Sequence, residues 1–336
     1  MPTAIGSGPA FVCPRCRAAV DSLPDRYRCP RCDADYPVCC GIPDFRLHAG
    51  PYIGLEDDRR KGEALFREAR HLTFAALLRY YYQTTPDDPP DLAERWTAHA
   101  LAEVEIARAV LRDSDVLSAS PHQPVALVDV GCSTGALLIA ASGANRQLVG
   151  VDVAFRWLVI GQARMREAGV AAVLVCANAE HLPFAGEQFQ IVVANDLVEH
   201  AVDPRGVLRE AHRVSAPGAR LLCTSNNRFW PGLEPNVRLW GVGYLPRRWQ
   251  AKWVAWRRRD LHPYHLGIPS ARELGRIVRD AGYRDVAIEA ALLVAPHSRR
   301  RALRAGLRVY NAIRRLPLVR SAVLIFGPRL RVLAGR

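Results

Sequence analysis

The sequence predicts an α/β protein: a parallel sheet covered by helices on both faces, preceded by a small cysteine-rich ribbon and a helical stretch. Three observations carry this. From residue 125 onward, β-type apolar runs (VALVDV, QLVGVD, AAVLVC, FQIVVAN, ARLLCTS) recur with room for a helix between them. A glycine-bearing turn, GCSTG, follows the first run. Two identical Cys-Pro-Arg-Cys knuckles, at 13–16 and 29–32, stand near the start.

The bulk properties fit that class. A chain of 336 residues suits about two domains and is long enough to bury a sizeable core. Hydrophobic residues make up 49% and charged residues 24%, as in ordinary globular proteins. The start, MPTAIGSGPAFVC, has neither a basic region nor a long apolar run, so no leader is expected. No stretch reaches the about 18 apolar residues of a spanning helix. The cysteines do not read as a secreted disulfide framework. Cys132, Cys176 and Cys223 fall in apolar segments that suit buried free thiols, and a reducing, cytoplasmic compartment is expected. The net charge of +13 is local: residues 297–336 hold eleven arginines and no acid, and the remaining 35 basic residues nearly balance 33 acidic ones.

In chain order, residues 1–48 are Cys- and Pro-rich and suit short ribbons. Residues 49–118 are a helical linker or lid. Within them 55–83 has helical periodicity throughout, TTPDDPPD breaks the chain, and Asp91 is placed to cap a second helix. Residues 119–336 form the core. Its strands alternate with helices, except for a Trp-, Pro- and Arg-rich insertion at 226–268. A helix SARELGRIVRDAG and a strand RDVAIEAALLV resume the pattern, and PRLRVLAGR suits a last strand.

Cys13, Cys16, Cys29 and Cys32 have the spacing C-x2-C-x12-C-x2-C. Two knuckles complete a tetrahedral shell of four thiolates, which suits zinc; an iron–sulfur cluster on the same cysteines is the alternative. A closed shell leaves no position for substrate, so the ion is structural and its binding energy is folding energy. Replacing Cys13 or Cys29 is therefore expected to unsettle the first 48 residues and to leave the core's ligand binding largely intact. Cys39 and Cys40 read as bystanders.

The first strand ends at Asp129-Val130, and Gly131 to Gly135 turn into a helix. Glycine there lets the backbone pass close to a ligand, and a helix N-terminus offers N–H groups to an anion. Position 133 is Ser where a dinucleotide fingerprint needs Gly, which disfavours a nicotinamide cofactor. Asp152 ends the second strand, 21 positions after Gly131, where a carboxylate can accept from both hydroxyls of a ribose.

These residues together resemble the class I S-adenosylmethionine-dependent methyltransferases. Val128 to Gly135 match the first motif "hhDhGCGTG", with Ser133 for the middle Gly. CANAEHLPFAGEQFQIVVANDLVEHAVDP resembles a stretch of the branch that includes quinone-biosynthesis methylases, and Val214 to Gly218 match the "LkPGG" turn. The resemblance implies a Rossmann-like seven-stranded core with S-adenosylmethionine held by Asp129, Gly131, Cys132, Ser133, Gly135, Asp152, Asn178, Ala179, Glu180 and Asn195. Asn178 stands where that family has Asp, with an amide oxygen able to accept from adenine. The segment YRCPRCDADYPVCCGIPDFR is similar to zinc ribbons that accompany methyltransferases: Tyr36, Pro37, Gly41, Ile42 and Pro43 match their "YP-x-x-x-GIP" ending.

The resemblance does not name the acceptor. Methyl transfer from a sulfonium needs a collinear nucleophile and often a base. The candidates are His265, in the 226–268 insertion, and His200, in VEHAVDP, with a structural histidine as the blander reading of each. The expected acceptor is a hydroxyl or amine of a small molecule, glycan or lipid-linked intermediate. An RNA base methyltransferase is the alternative, disfavoured because no NPPY-type clamp follows the fourth strand; a non-catalytic cofactor-binding partner is another. In the basic segment 297–328, Leu303, Leu307, Tyr310 and Ile313 lie on one helical side and arginines on the other. A helix packed on the core, a membrane-surface helix and an RNA-facing patch compete for it.

Overall fold

A computed structural model describes residues 8–50, 53–85, 90–118, 124–234, 237–258, 267–296 and 301–336. The ribbon is a four-stranded antiparallel sheet: β1 (Asp21–Ser22), β2 (Arg26–Arg28), β3 (Asp35–Cys39) and β4 (Ile42–Pro43). Three helices follow: α1 (Leu55–Glu68), α2 (Phe74–Thr84) and α3 (Pro90–Ser114).

The 55–83 segment is thus two helices, not one. The Thr73 hydroxyl accepts from the Ala76 N–H at 3.3 Å, and the Glu167 carboxylate accepts from the Phe74 N–H. Together they satisfy donors at the start of α2 that a continuous helix would bond internally. The next helix opens at Pro90, so Asp91 lies in its first turn rather than at its cap.

The core runs β5 (Val125–Val130), α4 (Ala136–Ala141), β6 (Arg146–Asp152), α5 (Phe155–Ala168), β7 (Val173–Cys176), β8 (Phe189–Asn195), α6 (Pro204–Val214) and β9 (Ser215–Asn226). Then come α7 (Arg247–Arg257), α8 (Ala271–Asp280), β10 (Arg284–Ala290), α9 (Arg301–Ile313), α10 (Pro317–Phe326) and β11 (Arg329–Gly335). Its sheet has seven strands in the order β10-β11-β9-β8-β5-β6-β7. The strands β5 to β9 are parallel. β11 runs against both neighbours, so one strand departs from the expected all-parallel pattern.

Strand order reverses between β5 and β8. In an open α/β sheet, the crevice at the carboxyl ends beside that reversal is where ligands bind. Residues 131–135 and Asn195 stand there.

Two apolar clusters cover the two faces. One joins Leu65, Leu77, Leu78 and Leu111 of α1–α3 to Phe155, Leu158 and Ile160 of α5. Each such fully buried side chain contributes roughly 1.5–3 kcal/mol. The segment 49–118 therefore helps build the core. The other cluster joins Val128, Val192 and Leu221 to Leu208 of α6 and Leu274 of α8, and also to Tyr36 and Phe45 of the ribbon.

The ribbon is fastened to the core by backbone and charge. The Val12 N–H donates to Pro183 O at 2.9 Å, the Ala185 N–H to Ala10 O at 3.0 Å, and the Phe45 N–H to Cys176 O at 2.7 Å. Asp44 bridges Cys176 in parallel, so the ribbon's exit covers the outer edge of β7, an edge that would otherwise present unpaired N–H and C=O groups.

Beneath this lies a buried ionic network. Arg46 donates to Asp44 at 2.7 and 2.8 Å, to Asp58 at 2.7 Å and to Val153 O at 3.1 Å. Asp58 also accepts from Arg156 at 2.6 Å and from the Phe155 N–H at 2.7 Å. The Asp44, Arg46 and Asp58 side chains are each at most 1% exposed. Ribbon, α1 and the start of α5 are locked together three and four residues after Asp152.

Candidate active site and metal centre

Each knuckle is closed by the same local bonds. The Arg17 N–H donates to Cys13 O, and the Asp33 N–H to Cys29 O. Arg17 (φ 63°) and Asp33 (φ 54°) both take the left-handed conformation just after the second cysteine. The four sulfurs of Cys13, Cys16, Cys29 and Cys32 lie within 4.8 Å of one another. The Cys13–Cys32 and Cys16–Cys29 pairs are 3.5 and 3.4 Å apart. Sulfurs at about 2.3 Å from a tetrahedral ion have this spacing. Tyr36 Oη is 3.1 Å from Cys13 Sγ. Burial opposes ionisation of Cys13, but its hydrogen bonds to Tyr36 and to backbone N–H groups outweigh it and bring the thiol down to about 6. Cys39 and Cys40 lie outside the cluster.

At the sheet's carboxyl edge, Gly131 (φ 81°) and Gly135 (φ 74°) are left-handed, and a Cβ on Gly131 would sit 3.0 Å from Leu197. The turn's amides are largely used within the fold. The Gly131 and Cys132 N–H groups donate to Val151 O, the Gly135 N–H to Cys132 O, and the Ser133 N–H to Asp152 Oδ2 at 2.8 Å. The expected ready N–H groups are thus mostly paired. Asp152 Oδ1 accepts from the Ala154 N–H at 2.8 Å. Burial raises this carboxyl's pKa while the two amides pull the other way.

Asp129 is buried beside the glycine turn. Burial, with the charges of Glu103 and Asp152, pushes its carboxyl up to about 8. Its Oδ1 is buried without a hydrogen-bond partner. An orphaned buried oxygen costs free energy unless a ligand completes it, and a cationic or N–H donor suits it.

The other predicted residues divide. Cys132 is buried, and Ala179 and Glu180 are half-buried in the loop after β7. Asn178 is 2% exposed, and its carboxamide holds the ribbon's exit. Its oxygen accepts from the Leu47 and His48 N–H groups at 2.8 and 3.3 Å, and its nitrogen donates to His48 O at 3.2 Å. Asn195 Oδ1 accepts from the Thr224 hydroxyl at 2.9 Å. His200 is half-buried beside this edge. His265 lies outside the described residues.

Sequence reasoning missed three groups here. Glu199 is 1% exposed; burial and then the charge of Asp196 push its carboxyl up to about 8. Its Oε1 accepts from the Asn226 N–H at 2.9 Å, and its Oε2 is buried without a partner. The acid was visible in VEHAVDP, but nothing local marks it as buried. Arg164, 5% exposed, donates to Thr134 Oγ1 at 2.7 Å and to Glu103 at 3.1 Å, drawing α3 onto the glycine turn. Arg329 of β11 pairs with Asp196 at the end of β8, across 133 residues of sequence.

Residues 128–223 match the family model described as "Methyltransferase domain". The seven-stranded sheet agrees with the expected class I methyltransferase fold. Among curated relatives, the chain is 26% identical over 170 residues to "Ubiquinone biosynthesis O-methyltransferase" of Cereibacter sphaeroides, covering 51% of this chain and 64% of the relative. It is 28% identical over 174 residues to the protein of that name from Ruegeria pomeroyi, covering 52% and 66%. The chain thus spans less than two thirds of the length of these relatives. A solved structure, Haemonchus contortus phosphoethanolamine N-methyltransferase 2, is similar at 17% identity and TM-score 0.46, over 69% of this chain and 52% of that one.

Proposed function

We propose that this chain, whose residues 128–223 form a methyltransferase domain within a class I fold, transfers a methyl group from S-adenosylmethionine to a hydroxyl or amine of a small-molecule or lipid-linked acceptor. The observation that carries the reading is the buried, partnerless Asp129 oxygen beside the glycine turn at the sheet's reversal point. S-adenosylmethionine, when bound, supplies an electrophilic methyl group on sulfur. Asp129 offers its orphaned oxygen to the ammonium, Asp152 faces the ribose, and the glycine turn lets the ligand approach. Asn195 bounds the methionine side, and Asn178 acts by holding the ribbon's exit against the loop that carries Ala179 and Glu180. Glu199, 1% exposed with its carboxyl raised to about 8, is mostly protonated at neutral pH and is not the base; the acceptor-side base of this reading is His265 or His200. The ribbon cysteines hold zinc as a brace.

Peripheral membrane contact belongs to the same reading. α7 exposes Trp249, Trp253 and Trp256, and the Arg257 guanidinium lies over two of those rings. α10 exposes Leu318, Ile325 and Phe326. Indole and arginine together suit a headgroup interface. Among the described residues no helix is long and apolar enough to cross a membrane.

Incubation with methyl-labelled S-adenosylmethionine and cell extract, followed by separation into RNA, lipid and small-molecule fractions, tests the acceptor. Label is expected in the lipid or small-molecule fraction; label confined to RNA would overturn the reading.

The pH dependence of cofactor affinity tests the role of Asp129. Its raised pKa leaves the ligand-free site mostly protonated below about pH 8, and an ammonium partner favours the ionised form. Affinity is therefore expected to rise as pH rises toward 8 and then level. Asp129→Asn is expected to bind more weakly and to flatten the profile. A wild-type profile flat between pH 6 and 8.5, measured by calorimetry, would remove Asp129 from that role.

A further inference from the structure

A second site of different chemistry lies away from the glycine turn. A cavity of about 350 Å³ is lined by Glu289, Ala290, Arg314, Arg315, Arg320 and Arg331. It sits where the end of β10, the start of β11, the segment after α9 and α10 meet the end of α3.

Its charges do not balance. Asp113 of α3 pairs with Arg314, with Arg315 at 2.9 Å and with Arg331, while Glu289 pairs with Arg331. Four guanidinium groups thus face two carboxylates. Arg314 and Arg331 are each 4% exposed, and the Nε–H of both is buried with no hydrogen-bond partner. Burying a charge is costly unless it is paired and hydrogen-bonded; two of the arginines that line the cavity each keep a buried Nε–H without an acceptor, and Arg320 adds a charge with no ion-pair partner among the described residues. Burial lowers the pKa of Arg314, which marks the same deficit.

We propose that this cavity binds the phosphate or diphosphate group of an anionic ligand. Guanidinium forks match phosphate oxygens in geometry, and a dianion restores charge balance. Room for the organic part of such an ester exists along the same seam. A neighbouring cavity of about 440 Å³ between α3 and α9 is lined by Leu293, Pro296, Leu307 and Arg112, next to Asp113. The inference is independent of the methyltransferase reading, since none of these residues belongs to the glycine-turn site.

The test is calorimetric titration of the full chain with inorganic diphosphate. The double variant Arg315→Gln/Arg320→Gln removes only exposed arginines and leaves Arg314 and Arg331 on Asp113, so it is expected to keep the wild-type melting temperature. It is expected to bind diphosphate at least about tenfold more weakly, as loss of charge-assisted bonds predicts. Arg67→Gln/Arg79→Gln, which removes exposed arginines of α1 and α2, is expected to bind like wild type. A second arm compares sedimentation with phosphatidylcholine vesicles with and without phosphatidic acid. Phosphatidic-acid-dependent retention that the Arg315/Arg320 variant loses identifies a lipid headgroup; diphosphate binding without such retention identifies a free phosphate ester. No binding of either probe, or equal binding by wild type and the Arg315/Arg320 variant, overturns the proposal.

Discussion

Asp58→Ala is expected to destabilise the folded chain by about 3–5 kcal/mol, read as a shift in the denaturant midpoint at unchanged slope. The size follows from what the carboxylate holds. Its two oxygens accept from Arg46, from Arg156 and from the Phe155 N–H, all in a nearly dry site. Removing it leaves two buried guanidinium groups short of a partner and uncaps the start of α5. The effect is expected to reach the ligand site, because α5 begins three residues after Asp152. Cofactor affinity is therefore expected to fall in the same variant under conditions where it is still folded. A loss below about 1 kcal/mol, the range of surface ion pairs, would show that the network is not the lock described above.

Chelation of the zinc proposed for the four cysteines, or Cys29→Ser, is expected to have the other large effect. In zinc-finger peptides four such ligands supply roughly 10–16 kcal/mol of apparent binding energy. The ribbon's own strands are two to five residues long and do not stand alone. Knuckle spacing alone predicts that the damage stays within the first 48 residues. The structure widens it. Leu47 and His48 donate to Asn178, and Phe45 donates to Cys176, at the loop expected to face the adenine end of the cofactor. A metal-free protein is thus expected to lose protection of residues 10–48 in hydrogen exchange and to bind S-adenosylmethionine more weakly. Unchanged affinity with an unprotected ribbon would restore the narrower expectation.

What is legible in the sequence depends on the range of each interaction. The strands VALVDV, QLVGVD and FQIVVAN, the four-cysteine cluster and the turn at Gly131 to Gly135 were legible because each is a local pattern. A buried strand reads as a continuous apolar run, a knuckle as a fixed spacing, and a left-handed turn as a glycine. Helix breaks were less legible. Half the cap at Phe74 comes from Glu167, 93 residues away. Asn178 shows the same limit at the site: its place after the third core strand was readable, but its hydrogen-bond partners lie 130 residues earlier.

By itself, then, the sequence determined the α/β class, the four-cysteine cluster and the glycine turn that stands with Asp129 and Asp152 at one edge of the sheet. Tertiary structure alone decided that β11 is inserted against its neighbours, that the ribbon shares the core's apolar cluster, and that Glu199, Arg314 and Arg331 are buried with unmet hydrogen bonds. The physical reason is that burial and ion pairing are sums over neighbours brought together by folding. A carboxylate in VEHAVDP or an arginine in RVYNAIRRL carries no local mark of whether water or another charge will face it.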